Sequence, residues 1–189
     1  MRNIYIFCIA IIFFSCSQKK SEFPIIEINS SFGDIQIELY PAKAPKTVAA
    51  FLSYVDSGYY KSSFFYRVIK AEEMPTDYND GLIQGGVWPA LKNVKGIEHE
   101  PTSQTSISHI SGTVSLARTG AGTATTEFFI CIGDQSQLDA GRSGTVDGLG
   151  YAAFGKVIKG MDAVRKIQSQ NSNGENFSKK IPIKNIIRL

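Results

Sequence analysis

What most limits the fold of this chain is the spacing of its apolar residues. Short runs rich in β-branched and aromatic side chains recur from end to end: "IIEIN", "IQIELY", "FFYRVI", "LIQGG", "GTVSLA", "EFFICI", "YAAFGKVI" and "IPIKNIIRL". Each reads as a strand. In "IQIELY", Ile35, Ile37 and Leu39 alternate with Gln36, Glu38 and Tyr40, the period of a strand with one buried face. Only two stretches carry a helical pattern. In "APKTVAAFLSYVDSGYY", Val48, Phe51, Leu52 and Val55 form one apolar stripe, with Pro45 in the first turn and Gly58 as the stop. The other is "GMDAVRKIQSQ". Many strands, two helices and no βαβ alternation predict a mainly β domain, a barrel or sandwich with helices at its ends. At 189 residues, one such domain buries a core without disulfide or metal staples.

Several function classes are excluded by what is missing. The formal net charge is +3 and the basic residues are scattered, so no nucleic-acid footprint is expected. His99 and His109 lie outside any metal-ligand spacing, so no metal is expected. Each reads as a loop or edge residue. The glycine-containing "RTGAGTATT" lacks the GxxxxGK spacing of a phosphate loop, and nothing else calls for a cofactor. No GxSxG elbow or carboxylate pair supplies a hydrolytic centre.

The first residues have their own logic. Arg2 and Asn3 precede an apolar run from Ile4 to Phe14, followed by Ser15, Cys16 and the polar "SQKKSE". That pattern is a secretory signal, too short to span a membrane as a helix. The "FFSC" ending resembles a bacterial lipoprotein signal, which implies cleavage after residue 15 and lipidation of Cys16. Residues 16–24 then read as a polar tether and 25–189 as the folded domain. Cys8 would leave with the signal and Cys16 would be a thioether, so Cys131 stands alone as a buried thiol.

One residue resists the strand pattern. Arg67 is a permanent charge inside "FFYRVI", where every neighbour has reason to be buried. Its context answers the question. In order, "GDIQIELYPAKAPKTVAAFLSYVDSGYY", "FFYRVI", "LIQGG", "GTVSLAR", "TTEFFICIG", "LD" at 138–139 and "GYAAFGKVIKGMDAVRKI" are similar to the cyclophilin-type peptidyl-prolyl cis–trans isomerases, over roughly residues 25 to 189. The resemblance implies a closed eight-stranded antiparallel β-barrel capped by two α-helices, with a site on its outer surface. It implies a monomer acting on proline-containing polypeptides, with no cofactor. With the lipoprotein-like signal, it implies an enzyme anchored to the cell envelope, facing the periplasm or the cell exterior.

The family's catalytic arginine corresponds to Arg67 and its supporting glutamine to Gln84. The resemblance also places Phe65, Leu82, Ala117, Glu127, Phe129, Leu138 and Tyr151 at substrate-binding positions. Leu82 stands where a methionine is usual and Tyr151 where a histidine is common; Tyr66 replaces the histidine beside the arginine. Two departures bear on turnover. Glu127 stands at a glutamine position, where a carboxylate either pairs with Arg67 and holds it back or merely orients it. Gly81 falls where a pocket phenylalanine is expected, beside the insertion at 70–81; Tyr78 or Trp88 would refill the space. The alternative these departures raise is a proline-peptide binding module or chaperone with the cyclophilin fold and little turnover.

Overall fold

A computed structural model of the chain describes residues 23–70, 81–87 and 94–189. The signal segment, Cys16, Tyr78 and Trp88 lie outside the described residues.

Among the described residues nine strands form: β1 (Ile25–Ser30), β2 (Gly33–Leu39), β3 (Ser63–Lys70), β4 (Gly81–Gly86), β5 (Thr113–Leu116), β6 (Phe128–Ile132), β7 (Ala152–Lys159), β8 (Ser172–Asn173) and β9 (Asn176–Arg188). The antiparallel order β1-β2-β7-β5-β6-β4-β3-β9 returns to β1 through a β1–β9 ladder, so eight strands close a barrel, and the two-residue β8 hangs on β9. Alternation works as the sequence predicts: Ile35, Ile37 and Leu39 point inward with Ile26 and Ile28 from β1. Burying each such side chain is worth about 1.5–3 kcal/mol, which makes the barrel interior the main source of stability.

Two helices close the ends. Helix α1 (Pro45–Asp56) begins with proline at N1 and buries Val48, Phe51, Leu52 and Val55. Phe51 meets Tyr60, Phe128 and Phe154 at ring distances of 4.9–5.9 Å. Ala44 offers no side-chain cap. Instead the buried carboxylate of Glu100 accepts from Lys46 N and Thr47 N, at 3.2 and 2.8 Å. A carboxylate against those unpaired amides complements the helix dipole, which explains an acidic residue buried at the end of an otherwise irregular stretch. The expectation of two helices needs one addition: a single turn, α2 (Thr102–Thr105), precedes β5. Helix α3 (Met161–Gln168) buries Ala163, Val164 and Ile167.

A second apolar cluster lies on the outside of the barrel. Its buried members are Leu82, Phe129 and Cys131, with Ile69, Ala117, Leu138 and Tyr151 packed around them. On β6, Phe128, Ile130 and Ile132 face the interior while Phe129 and Cys131 face this outer cluster. Both faces of the strand are therefore apolar, which is why "FFICI" has no polar alternation.

Candidate active site

Arg67 reaches the outer face through a local irregularity in β3. The register against both β4 and β9 shifts between Phe65 and Arg67, leaving Tyr66 as an extra residue. Such a bulge shifts the in–out phase of the strand. Phe65 and Val68 both point inward, and the two residues between them, Tyr66 and Arg67, are both only partly buried. The guanidinium consequently stands on the barrel wall and never enters the core.

Three of its five donors are engaged. Nη1 donates to Gln84 Oε1 at 2.9 Å, across the Arg67–Gln84 pair of the β3–β4 ladder. Nε and Nη2 donate to Glu175 Oε2 at 2.9 and 2.6 Å. Gln84 Nε2 in turn donates to the Tyr66 hydroxyl at 2.6 Å and, more distantly, to Glu127 Oε2 at 3.4 Å. Burial pushes the Glu127 carboxyl up, with hydrogen bonds from Tyr66 and Gln84 partly offsetting it. Its other oxygen, Oε1, is buried without a partner among the described residues.

Beside this polar chain lies a groove of about 890 Å³. Leu82, Ala117, Phe129, Leu138 and Tyr151 give it an apolar end, with Tyr151 edge-on to Phe129 at 5.2 Å. A cationic donor held beside an apolar recess suits a neutral substrate that needs one hydrogen bond and one apolar anchor.

The sequence pattern of the family described as "Cyclophilin type peptidyl-prolyl cis-trans isomerase/CLD" matches residues 25–188. The chain belongs to the cyclophilin-type peptidyl-prolyl cis–trans isomerases.

Similar cyclophilins span nearly the whole folded part. A peptidyl-prolyl cis–trans isomerase of Acinetobacter baylyi is 34% identical over 161 residues, 84% of this chain and 79% of that protein. The isomerase cyp18 of Streptomyces antibioticus is 35% identical over 167 residues, 86% of this chain and 93% of that protein. A crystal structure of a cyclophilin-type isomerase from Cryptosporidium parvum superposes with a TM-score of 0.71 at 25% identity, covering 88% of this chain and 98% of that one. A second structure of that protein, determined in the presence of the dipeptide Ala-Pro, gives 0.68 at 24% identity, covering 86% and 97%.

In this cyclophilin, most of the residues picked out from the sequence converge on the groove. Arg67, Gln84, Leu82, Ala117, Glu127, Phe129, Leu138 and Tyr151 all line it. Phe65 does not. It is fully buried inside the barrel, 6.0 Å from Phe128, because the bulge turns Tyr66 outward in its stead. Glu127 does not grip Arg67 either; that carboxylate is Glu175, from the turn between β8 and β9. Gly81 cannot be a lost phenylalanine in this backbone. Its φ is +99°, and a Cβ there would lie 2.1 Å from the Ile69 carbonyl oxygen. Ile69 packs against the outer cluster from the paired strand, opposite Leu82.

Three contributors were not visible beforehand: Glu175, Arg118 and His109. His109 is fully buried and stacks on Phe129 at 5.8 Å. Its Nδ1 meets Asp139 Oδ1 at 2.6 Å and its Nε2 meets Ser115 Oγ at 3.0 Å. Burial holds the imidazole below its ordinary value despite the carboxylate. Burial alone would raise Asp139, but hydrogen bonds from Ser108 and His109 outweigh it and keep that group low. The neutral ring thus donates from Nδ1 and accepts from Ser115. The three groups have the order of a Ser-His-Asp triad, but Ser115 and His109 are fully buried, with no route for a substrate. Cys131 is likewise inert, its thiol pushed up by burial.

Proposed function

We propose that this cyclophilin isomerises X–Pro bonds with Arg67 as the catalytic donor and the Leu82–Phe129–Leu138–Tyr151 recess as the seat of the proline ring. The observation that carries the reading is the guanidinium held by Gln84 on the outer barrel wall, directly beside that recess. Rotation about the prolyl amide breaks resonance over a barrier of about 20 kcal/mol. In the twisted state the proline nitrogen recovers its lone pair and accepts a hydrogen bond. A donor fixed beforehand binds that state better than either planar one, and no acid, base or metal is required. Arg67 keeps two N–H groups outside its contacts with Gln84 and Glu175 for this purpose. The relatives named as peptidyl-prolyl cis–trans isomerases support a proline-containing ligand for this groove.

The first residues support a place of action. The lipoprotein-like signal supports a mature protein anchored through lipid on Cys16 and acting on prolines of exported chains in the cell envelope, while the resemblance to cyclophilins supports a monomer. Fatty-acid labelling lost in Cys16→Ser, with the protein moving from the membrane to the soluble fraction, tests the anchor.

Refolding of a proline-limited protein tests the chemistry. The wild type accelerates the slow phase, and Arg67→Ala loses about 10²–10³ of the effect, mainly in turnover. Equal rates for the two proteins would remove Arg67 from the mechanism.

A further inference from the structure

Resting on the reading that the recess seats a proline ring, we propose that Arg118 and Asp147 are positioning residues of that recess, a clamp with a buried arginine and an exposed carboxylate that holds its Leu138–Tyr151 wall. Leu138 and Tyr151 stand at the two ends of the segment 139–150, joined by Tyr151 N donating to Leu138 O at 3.1 Å. The segment between them is "DAGRSGTVDGLG", with little to anchor it by burial. Val146 is fully exposed and Leu149 is 43% exposed. Something polar must therefore hold the wall against the barrel.

Each end has its own fastening. At the Leu138 end, Asp139 is bound by His109 and Ser108, and Ala140 N donates to Thr102 Oγ1 at 2.8 Å. At the Tyr151 end the fastening is Arg118, which follows β5. Its Nη1 and Nη2 donate to the two oxygens of Asp147 at 2.7 and 2.8 Å, and its Nε donates to the Gly150 carbonyl at 2.9 Å. Nη2 also reaches that carbonyl. The guanidinium lies 5.4 Å from the centre of the Tyr151 ring, which in turn stands edge-on to Phe129.

Only the carboxylate of this ion pair meets solvent, with the Asp147 side chain 34% exposed. The Arg118 side chain is only 3% exposed, so its charge has given up water and depends on these partners. Asp147 is held well below the carboxylate range, first by the hydrogen bonds from Arg118 and then by the amide of Leu149. Only a planar fork can span two carboxylate oxygens and a neighbouring carbonyl while lying against an aromatic ring. Lysine has the charge but not the shape.

The test is an Ala-Ala-Pro-Phe peptide titration and isomerase assay on wild type, Arg118→Gln, Arg118→Lys and Asp147→Asn. The Tyr151 resonance is followed by fluorine NMR of fluorotyrosine-labelled protein. Peptide Kd and KM rise about tenfold in both Arg118 variants with kcat within about twofold, because the wall binds the ring and does not act on the twisted bond. Asp147→Asn keeps one acceptor and shifts both by about threefold. The Tyr151 resonance moves in each variant before peptide is added. A folded Arg118→Gln with wild-type Kd and an unmoved Tyr151 signal overturns the clamp, as does a loss confined to kcat. Should Arg118→Gln fail to fold, Asp147→Asn decides the matter by the same criteria. A wild type that neither binds nor accelerates removes the isomerase reading instead, while the peptide-free Tyr151 signal still decides the clamp.

Discussion

Glu175 and Arg67 are joined twice, by side chain and by the neighbouring backbone. The carboxylate takes two guanidinium donors, and the Glu175 carbonyl accepts from Val68 N at 2.7 Å. The turn between β8 and β9 is thereby hydrogen-bonded to β3 right beside the arginine.

Glu175→Ala frees one side of the guanidinium, and turnover falls about three- to tenfold with KM little changed. Glu175→Gln retains an acceptor and loses less. The pair is open to solvent, with side-chain exposures of 37% and 57%, so added salt narrows the difference. Isomerase assays of the three proteins at low and high ionic strength check this. A faster Glu175→Ala enzyme would make the carboxylate a restraint on catalysis.

Glu127→Gln leaves turnover within about threefold, since the residue acts on Gln84 and Tyr66 and makes no bond to Arg67. It stabilises the fold instead. The Glu127 carboxyl is raised above its ordinary 4.5, so from that pH upward the folded state holds a proton that the unfolded state has released. Wild-type stability therefore falls as pH rises through the folded value, and below 4.5 this contribution vanishes. Denaturant titrations in a pH series check that the advantage of Glu127→Gln grows in that direction.

His109 has the opposite slope. Its folded value lies below the ordinary 6.5, so as pH drops beneath 6.5 the unfolded chain takes up a proton that the buried ring refuses. Stability falls toward acid, by at most about 1.4 kcal/mol per pH unit for one proton. Thermal unfolding between neutral pH and the folded value follows this loss, and in His109→Gln it disappears. The same variant loosens the backing of Phe129, so its KM rises.

Gly81→Ala is severe although it adds one carbon. A residue forced to φ +99° with its Cβ on the Ile69 carbonyl must shift β4 where it meets β3, at a cost of about 1–3 kcal/mol from the backbone conformation alone. Calorimetric melting measures it. An unchanged midpoint would mean that the hairpin adopts another turn at this point.

Barrel and groove differ in how far their local sequence announces them. The inward faces of β1 and β2 follow from alternation, because each residue's neighbour two places on shares its face. Arg67, Gln84, Leu82 and Phe129 sit within short motifs, so their convergence is also legible. Tyr66 left a signal that was there to read. Two polar-ended side chains stand in succession between the inward Phe65 and Val68, and period two cannot accommodate them without an extra residue. Glu175 left none: it meets Arg67 across 108 residues, through a turn whose path no local pattern specifies. Arg118 and His109 pair with carboxylates 29 and 30 residues away. In sequence each of them is only a charge or an imidazole near a strand.

The closed ladder from β9 back to β1 has a consequence for the company this protein keeps. Incompletely folded chains are rich in segments seeking a row of open amides and carbonyls to pair with, and a long unpaired strand would recruit them. Here all eight barrel strands are paired on both sides, and among the described residues only the two-residue β8 is left at a margin. Among the described residues the barrel therefore offers no long open edge on which a strand of another chain could be added.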